Sequence, residues 1–105
     1  MSTFDEREKG FEQKFSHDKE LDFKINARRN RLLGLWVAKE LGIPAADAEA
    51  YAKSIVEADL AHHDVVQKIL ADCKQKGVAM SEHRLHKHMQ ELREVAREQV
   101  KKELK

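Results

Sequence analysis

The chain has little of what most functional sites are built from. It has one cysteine, one proline, four glycines and only six aromatic side chains in 105 residues. A lone Cys73 cannot close an internal disulfide, so it fits a reducing compartment or serves as a small apolar residue. With so few breakers, and with Ala, Leu, Glu, Lys and Arg abundant, the expected class is all-α. No apolar run approaches the roughly 18–20 residues that cross a bilayer, so no direct membrane insertion is expected. The opening MSTFDEREKG has no apolar core of a secretory signal. Charge of one sign is also missing. Lys+Arg number 20 against 19 Asp+Glu, a formal net charge of +1. Nucleic-acid binders usually carry a clear basic excess, so no nucleic-acid partner is expected.

Catalytic and metal motifs are missing as well. There is no Gly-rich phosphate loop, nucleophile elbow, Cys-x-x-Cys or His-Glu-x-x-His. Carboxylates are plentiful, but none stands alone in an apolar stretch that would raise its pKa. Cys73 falls on a core stripe, where thiols are usually inert. His83 and His86 share a helix face, yet no further ligand completes a set with them, and His88 points elsewhere. Solvated histidines are the better reading, with His88 half-buried beside the apolar arc. The expectation is therefore no catalytic residue, no metal site and no cofactor.

What the chain does have is helical periodicity. Length and apolar content allow one small domain. The central run Asp18–Leu41 holds the only tryptophan. At about 100° per residue, Leu21, Ile25, Leu32, Leu35 and Trp36 form one arc. Phe23, Val37 and Leu41 fall roughly opposite, with Leu33 beside Val37. Two stripes predict neighbours on two sides. Ser16 or Asp18 can cap the start of this helix, and Gly42 suits its C-terminal stop. Gly34, inside it, costs the helix roughly 1 kcal/mol and is expected to admit a close neighbour. Arg28 lies in the main arc, where its stem can run along the bundle while its head finds a carboxylate. Further helices are predicted over Ala46–Leu60; from a cap at Asp64 to about Lys76, with Val65, Val66, Ile69, Leu70 and Cys73 on one side and Gly77 ending it; and after a cap at Ser81, with Leu85, Met89, Leu92, Ala96 and Val100 as a stripe. Short connections make neighbours antiparallel. The expected architecture is a small four-helix bundle over 18–105, preceded by a flexible or partly helical N-terminal arm over 1–17.

That arm is distinctive. Phe4, Phe11 and Phe15 are spaced seven and four residues apart, which returns them to one narrow face of a helix. Gly10 and the short length leave it poorly able to hold a helix alone. It reads as a segment that docks on a partner.

Phe4 through Phe15 (FDEREKGFEQKF) resembles the start of the zeta subunit, the small inhibitor of bacterial F1-ATPase described from alphaproteobacteria. The run RRNRLLGLW over Arg28–Trp36 is similar to the same family, as are Tyr51-Ala52, Ala58-Asp59 and Asp64-Val65-Val66 with Lys68, in order. His62-His63 departs from it, because a more acidic, Gly-containing loop is expected there. The resemblance implies a four-helix bundle whose mobile arm enters a catalytic α/β interface of the F1 head and blocks ATP hydrolysis. The partner would be the head's α and β subunits, with γ a further candidate. The protein would be cytoplasmic, held peripherally at the inner membrane through F1. Carried over by position, Phe4, Phe11 and Phe15 would fill apolar pockets, while Asp5, Arg7, Glu8, Lys9, Glu12 and Lys14 would supply polar contacts. Arg28, Arg29 and Arg31 are a secondary basic contact. Two alternatives stand beside it: a helical nucleic-acid or nucleotide-binding module using those arginines, and a protein-binding adaptor without inhibitory activity.

Overall fold

The protein's structure is a computed structural model that describes the backbone of residues 2–104 and the side chains of 19–104. Four helices follow in chain order: α1 (Ser2–Glu40), α2 (Ala45–Leu60), α3 (Val65–Gln75) and α4 (Glu82–Glu103). The expected all-α four-helix bundle is the fold found. One boundary differs from expectation. The first helix starts at Ser2 rather than at Ser16 or Asp18. No proline and no pair of glycines stands between Ser2 and Asp18 to force a break. At about 1.5 Å per residue, a helix of 39 residues reaches about 58 Å.

Local chemistry sets the other ends as expected. The Asp64 side chain accepts from the Gln67 backbone N–H, and Ser81 accepts from that of Arg84, which caps α3 and α4. Gly42 and Gly77 hold φ of +74° and +70°, closing α1 and α3 in the left-handed region. After α2 the same role falls to His62, at φ +62°. There the departure from the Gly-containing loop has a concrete form, because a side chain occupies a conformation that glycine adopts more cheaply.

The α1 helix is the spine. Its apolar residues feed two clusters, and α4 contributes to both. Leu33, Val37 and Leu41 join Ile55 of α2, Val65, Ile69 and Cys73 of α3 and Leu85 of α4 in the main core. Ile25, flanked by Leu21 and Leu32, meets Ala96 and Val100 of α4 in a smaller cluster. One residue of the second stripe departs from expectation: Phe23 is 58% exposed. The cause is helix length. α2 runs antiparallel to α1 and stops at Leu60, near Asn30, so it has no further turn to lay over Phe23.

Polar groups fix the register between helices. Asn30 is only 1% exposed. Its Nδ2 donates to Asp59 Oδ2 at 2.9 Å, and its Oδ1 accepts from Arg29 Nε at 2.9 Å. A buried amide that loses an acceptor costs about 1–3 kcal/mol. Asp59→Ala is therefore expected to lower the unfolding free energy by about that amount in a urea titration. Asp59→Asn, which keeps an acceptor, loses less. Equal losses in the two variants would show that the Asn30 hydrogen bond is not the cause.

Between α2 and α3, Tyr51 Oη donates to Asp72 Oδ2 at 2.8 Å, and Lys68 Nζ reaches the same oxygen at 3.1 Å. Burial, then the hydrogen bond to Asp72, pushes the Tyr51 hydroxyl above its ordinary value of 10.0. Burial, followed by the charge of Asp72, raises the Cys73 thiol above 9.0. Each group then holds its proton longer folded than unfolded. Below pH 9 both states are protonated and stability does not change with these groups. Above pH 9, and more steeply above pH 10, the unfolded chain releases protons that the folded chain keeps, so stability falls as pH rises. Thermal melts from pH 8 to 11 should show this fall, and Tyr51→Phe should flatten its part above pH 10. A melting temperature level across that range would contradict it.

Candidate partner-binding site

The sequence points to two groups of contact residues. The first lies on the opening turns of α1. Phe4, Asp5, Arg7, Glu8, Lys9, Phe11, Glu12, Lys14 and Phe15 all lie outside the residues whose side chains are described. The backbone carries them on the same helix as the core anchors Leu33 and Val37.

The second group is Arg28, Arg29 and Arg31. Their spacing on a helix spreads them around its circumference, and the structure places them so. Arg28 reaches α4, donating to Gln99 Oε1 at 2.9 Å and pairing with Glu103 at 2.5 Å. Arg31 points to α2 and pairs with Glu49 at 2.6 Å. Arg29 turns to the Asn30–Asp59 pair. Burial lowers its pKa, Asp59 opposes that shift, and Arg93 adds to it. The three arginines thus hold α1 to its neighbours on separate sides and form no basic stripe. Such pairs are worth about 0–1 kcal/mol each at an exposed site.

Trp36, at the far end of the spine, is only partly buried. The His88 ring stacks on it with centroids 4.0 Å apart and planes 25° from parallel. The Arg84 guanidinium lies 5.4 Å from the Trp36 ring and pairs with Glu40 at 3.2 Å. So His88 is half-buried, as expected, but its ring partner was not legible from α4 alone. His83 and His86 are exposed, and no group of three or more metal-ligating side chains converges among the described residues. Cys73 is buried in the main core. No described helix is long and apolar enough to cross a membrane.

Sequence reading missed an apolar groove. Phe23 and Ala27 of α1 and Val56 of α2 line a shallow hollow of about 350 Å³, bounded by Val100 and Glu103 of α4. Leu60, 52% exposed, continues it beside Phe23. Its signal was present in Phe23's place on the outer stripe. Its exposure follows from where α2 ends, which the wheel of α1 does not contain.

The bundle resembles a solved protein. A solution NMR structure is 40% identical to this chain, covers 79% of it, is itself covered over 98% of its length and superposes with a TM-score of 0.68. No curated protein matches. A family model described as ATPase inhibitor subunit zeta matches residues 1–99.

Proposed function

The chain belongs to the ATPase inhibitor subunit zeta family, and from that premise we propose that it regulates a bacterial F1-type ATP synthase by inserting the start of α1 into a catalytic α/β interface of the head. The observation that carries this reading is the family match, which runs through the Phe-spaced opening as well as the bundle. The partner surface is Phe4, Phe11 and Phe15 on one face, with Asp5, Arg7, Glu8, Lys9, Glu12 and Lys14 around it. The chain supplies no catalysis. It works by holding the head in one rotational state, because a ligand that favours one state over the next shifts the equilibrium toward it.

The energetics set a condition on the cleft. Burying a Phe is worth roughly 1.5–3 kcal/mol. Fixing a disordered backbone costs roughly 1–2 kcal/mol per residue. If residues 2–17 were ordered only on docking, three rings would not offset that cost. Two features reduce the deficit: the arm extends a helix already nucleated by the bundle, and the polar residues between the rings can add charge-assisted contacts.

The test is a titration of the full chain onto F1 purified from the same source, with ATP hydrolysis and binding followed together. Hydrolysis is expected to fall to a plateau at stoichiometric occupancy. Unchanged hydrolysis with no binding over a wide range of concentration would overturn the reading. Binding without any loss of hydrolysis would favour an adaptor instead.

A further inference from the structure

We propose that the groove of Phe23, Ala27 and Val56, with Lys24 and Lys53 on its rim, docks an acidic amphipathic helix of the ATPase head beside the cleft that the arm enters. The inference rests on the reading that α1's opening turns enter that cleft.

Three observations carry it. The first is apolar exposure. Phe23 is 58% exposed and Leu60 52%, and both border the same hollow as Val56. Large apolar side chains gathered at one groove mark an interaction surface more often than scattered ones do. The second is charge. A second hollow shares Arg31 of α1 and Val56 of α2 with the first and runs on to Lys53. Glu49 and Glu103 on their edges are each matched by an arginine, Arg31 and Arg28, while Asp59, beside Leu60, accepts from Asn30 and faces the charge of Arg29. Lys24 and Lys53 are exposed and meet no carboxylate among the described residues. Two surplus ammonium groups flanking an apolar floor select a helix with carboxylates beside an apolar stripe. The third is continuity. α1 runs without a break from Ser2 to Glu40. Phe23 therefore lies about 12 Å beyond Phe15 along one axis. A cleft that closes around the helix at Phe15 therefore has the turn of Phe23 and Lys24 at its mouth, with Phe23 about 80° and Lys24 about 180° around the axis from Phe15.

Docking in the groove would also set the direction in which the bundle leaves the head. One helix gripped at two places along its length cannot pivot about the arm alone.

The test uses the full chain and purified F1, with dissociation constants measured at low and physiological salt. Phe23→Ala is expected to weaken binding about ten-fold, the loss of one well-placed aromatic anchor. Lys24→Glu with Lys53→Glu is expected to weaken it further and to flatten its salt dependence. Val95→Ala removes an apolar side chain 44% exposed on α4, away from the groove, and serves as the control. It is expected to bind as the unaltered chain does. All variants should melt with the unaltered protein, since the side chains changed are exposed. Unaltered affinity and salt dependence in the groove variants would overturn the proposal, and so would an equal loss in Val95→Ala. A dimer of the unaltered chain in solution that Phe23→Ala dissociates would overturn it too, by assigning the groove to a second copy. If the unaltered chain itself fails to bind F1, the reading beneath the proposal fails instead.

Discussion

Gly34→Ala is expected to destabilise the bundle by about 1–2 kcal/mol, although it places a better helix former inside a helix. On propensity alone the change would gain roughly 1 kcal/mol. Packing decides the sign. A Cβ on Gly34 would sit 2.5 Å from Ala52 Cα, 3.1 Å from Ala52 Cβ and 3.3 Å from Ile55 Cγ1. The nearest atom is backbone, so no rotamer change relieves the contact. α2 has to move away from α1, and it takes Ile55 out of the main core and Asp59 away from Asn30. Overpacking a closed site costs typically 1–3 kcal/mol, sometimes more. For a domain of this size each kcal/mol lowers the melting temperature by about 4–8 °C. Gly34→Leu is expected to exceed the alanine loss and to threaten folding at moderate temperature. A double variant isolates the cause. Ala52→Gly removes the Cβ contact but leaves Cα in place, so it should not rescue Gly34→Ala. Stability equal to or above that of the unaltered protein in Gly34→Ala would show that the helices separate freely, and that the glycine is not what lets them approach.

The same residue shows what was legible in the sequence. A glycine in the middle of a strongly periodic helix is conspicuous, and a close neighbour was the physical reason to expect. Caps were legible for a similar reason: Asp64, Ser81, Gly42 and Gly77 act through their own backbone or the next turn, so nothing distant has to be known. Core stripes on α3 and α4 followed from period alone. The failures involve relations between helices. Asn30 is polar, and on the wheel it reads as part of the basic run, yet it is buried because Asp59 arrives from α2. Trp36 reads as core, yet it is partly covered by a histidine and an arginine of α4. Phe23 reads as the start of a second buried stripe, but α2 ends too soon to cover it. A wheel describes one helix and cannot report where a neighbour stops. The first helix boundary failed differently. A favourable N-cap at Ser16 or Asp18 permits a helix to start there without forbidding it to have started earlier.

The largest functional effect is expected from Phe4, Phe11 and Phe15. Replacing all three by alanine in the full chain should abolish inhibition of F1 while leaving the bundle's melting temperature unchanged. The bundle half of that expectation follows from position: the main core takes its α1 residues from Leu33 to Leu41, about 27 Å or more along the helix from Phe15. The inhibition half follows from the energy of the docked face. At the lower end of about 1.5 kcal/mol per ring, three rings contribute about 4.5 kcal/mol, which corresponds to roughly a thousand-fold in Kd. Alanine also favours helix, so the substituted arm retains its helical tendency and loses only its apolar face. This separates recognition from folding more cleanly than deleting residues 2–17 would. Single substitutions should rank by how enclosed each pocket is, and their losses need not add, because rings on one face share a cleft. Charge changes at Arg7, Lys9 or Lys14 should act differently, altering the salt dependence of binding more than its limit at high salt. A triple-alanine chain that still stops hydrolysis at the same concentration would move the inhibitory contact off the opening turns of α1. The groove at Phe23 would then be the first surface on the bundle to hold responsible.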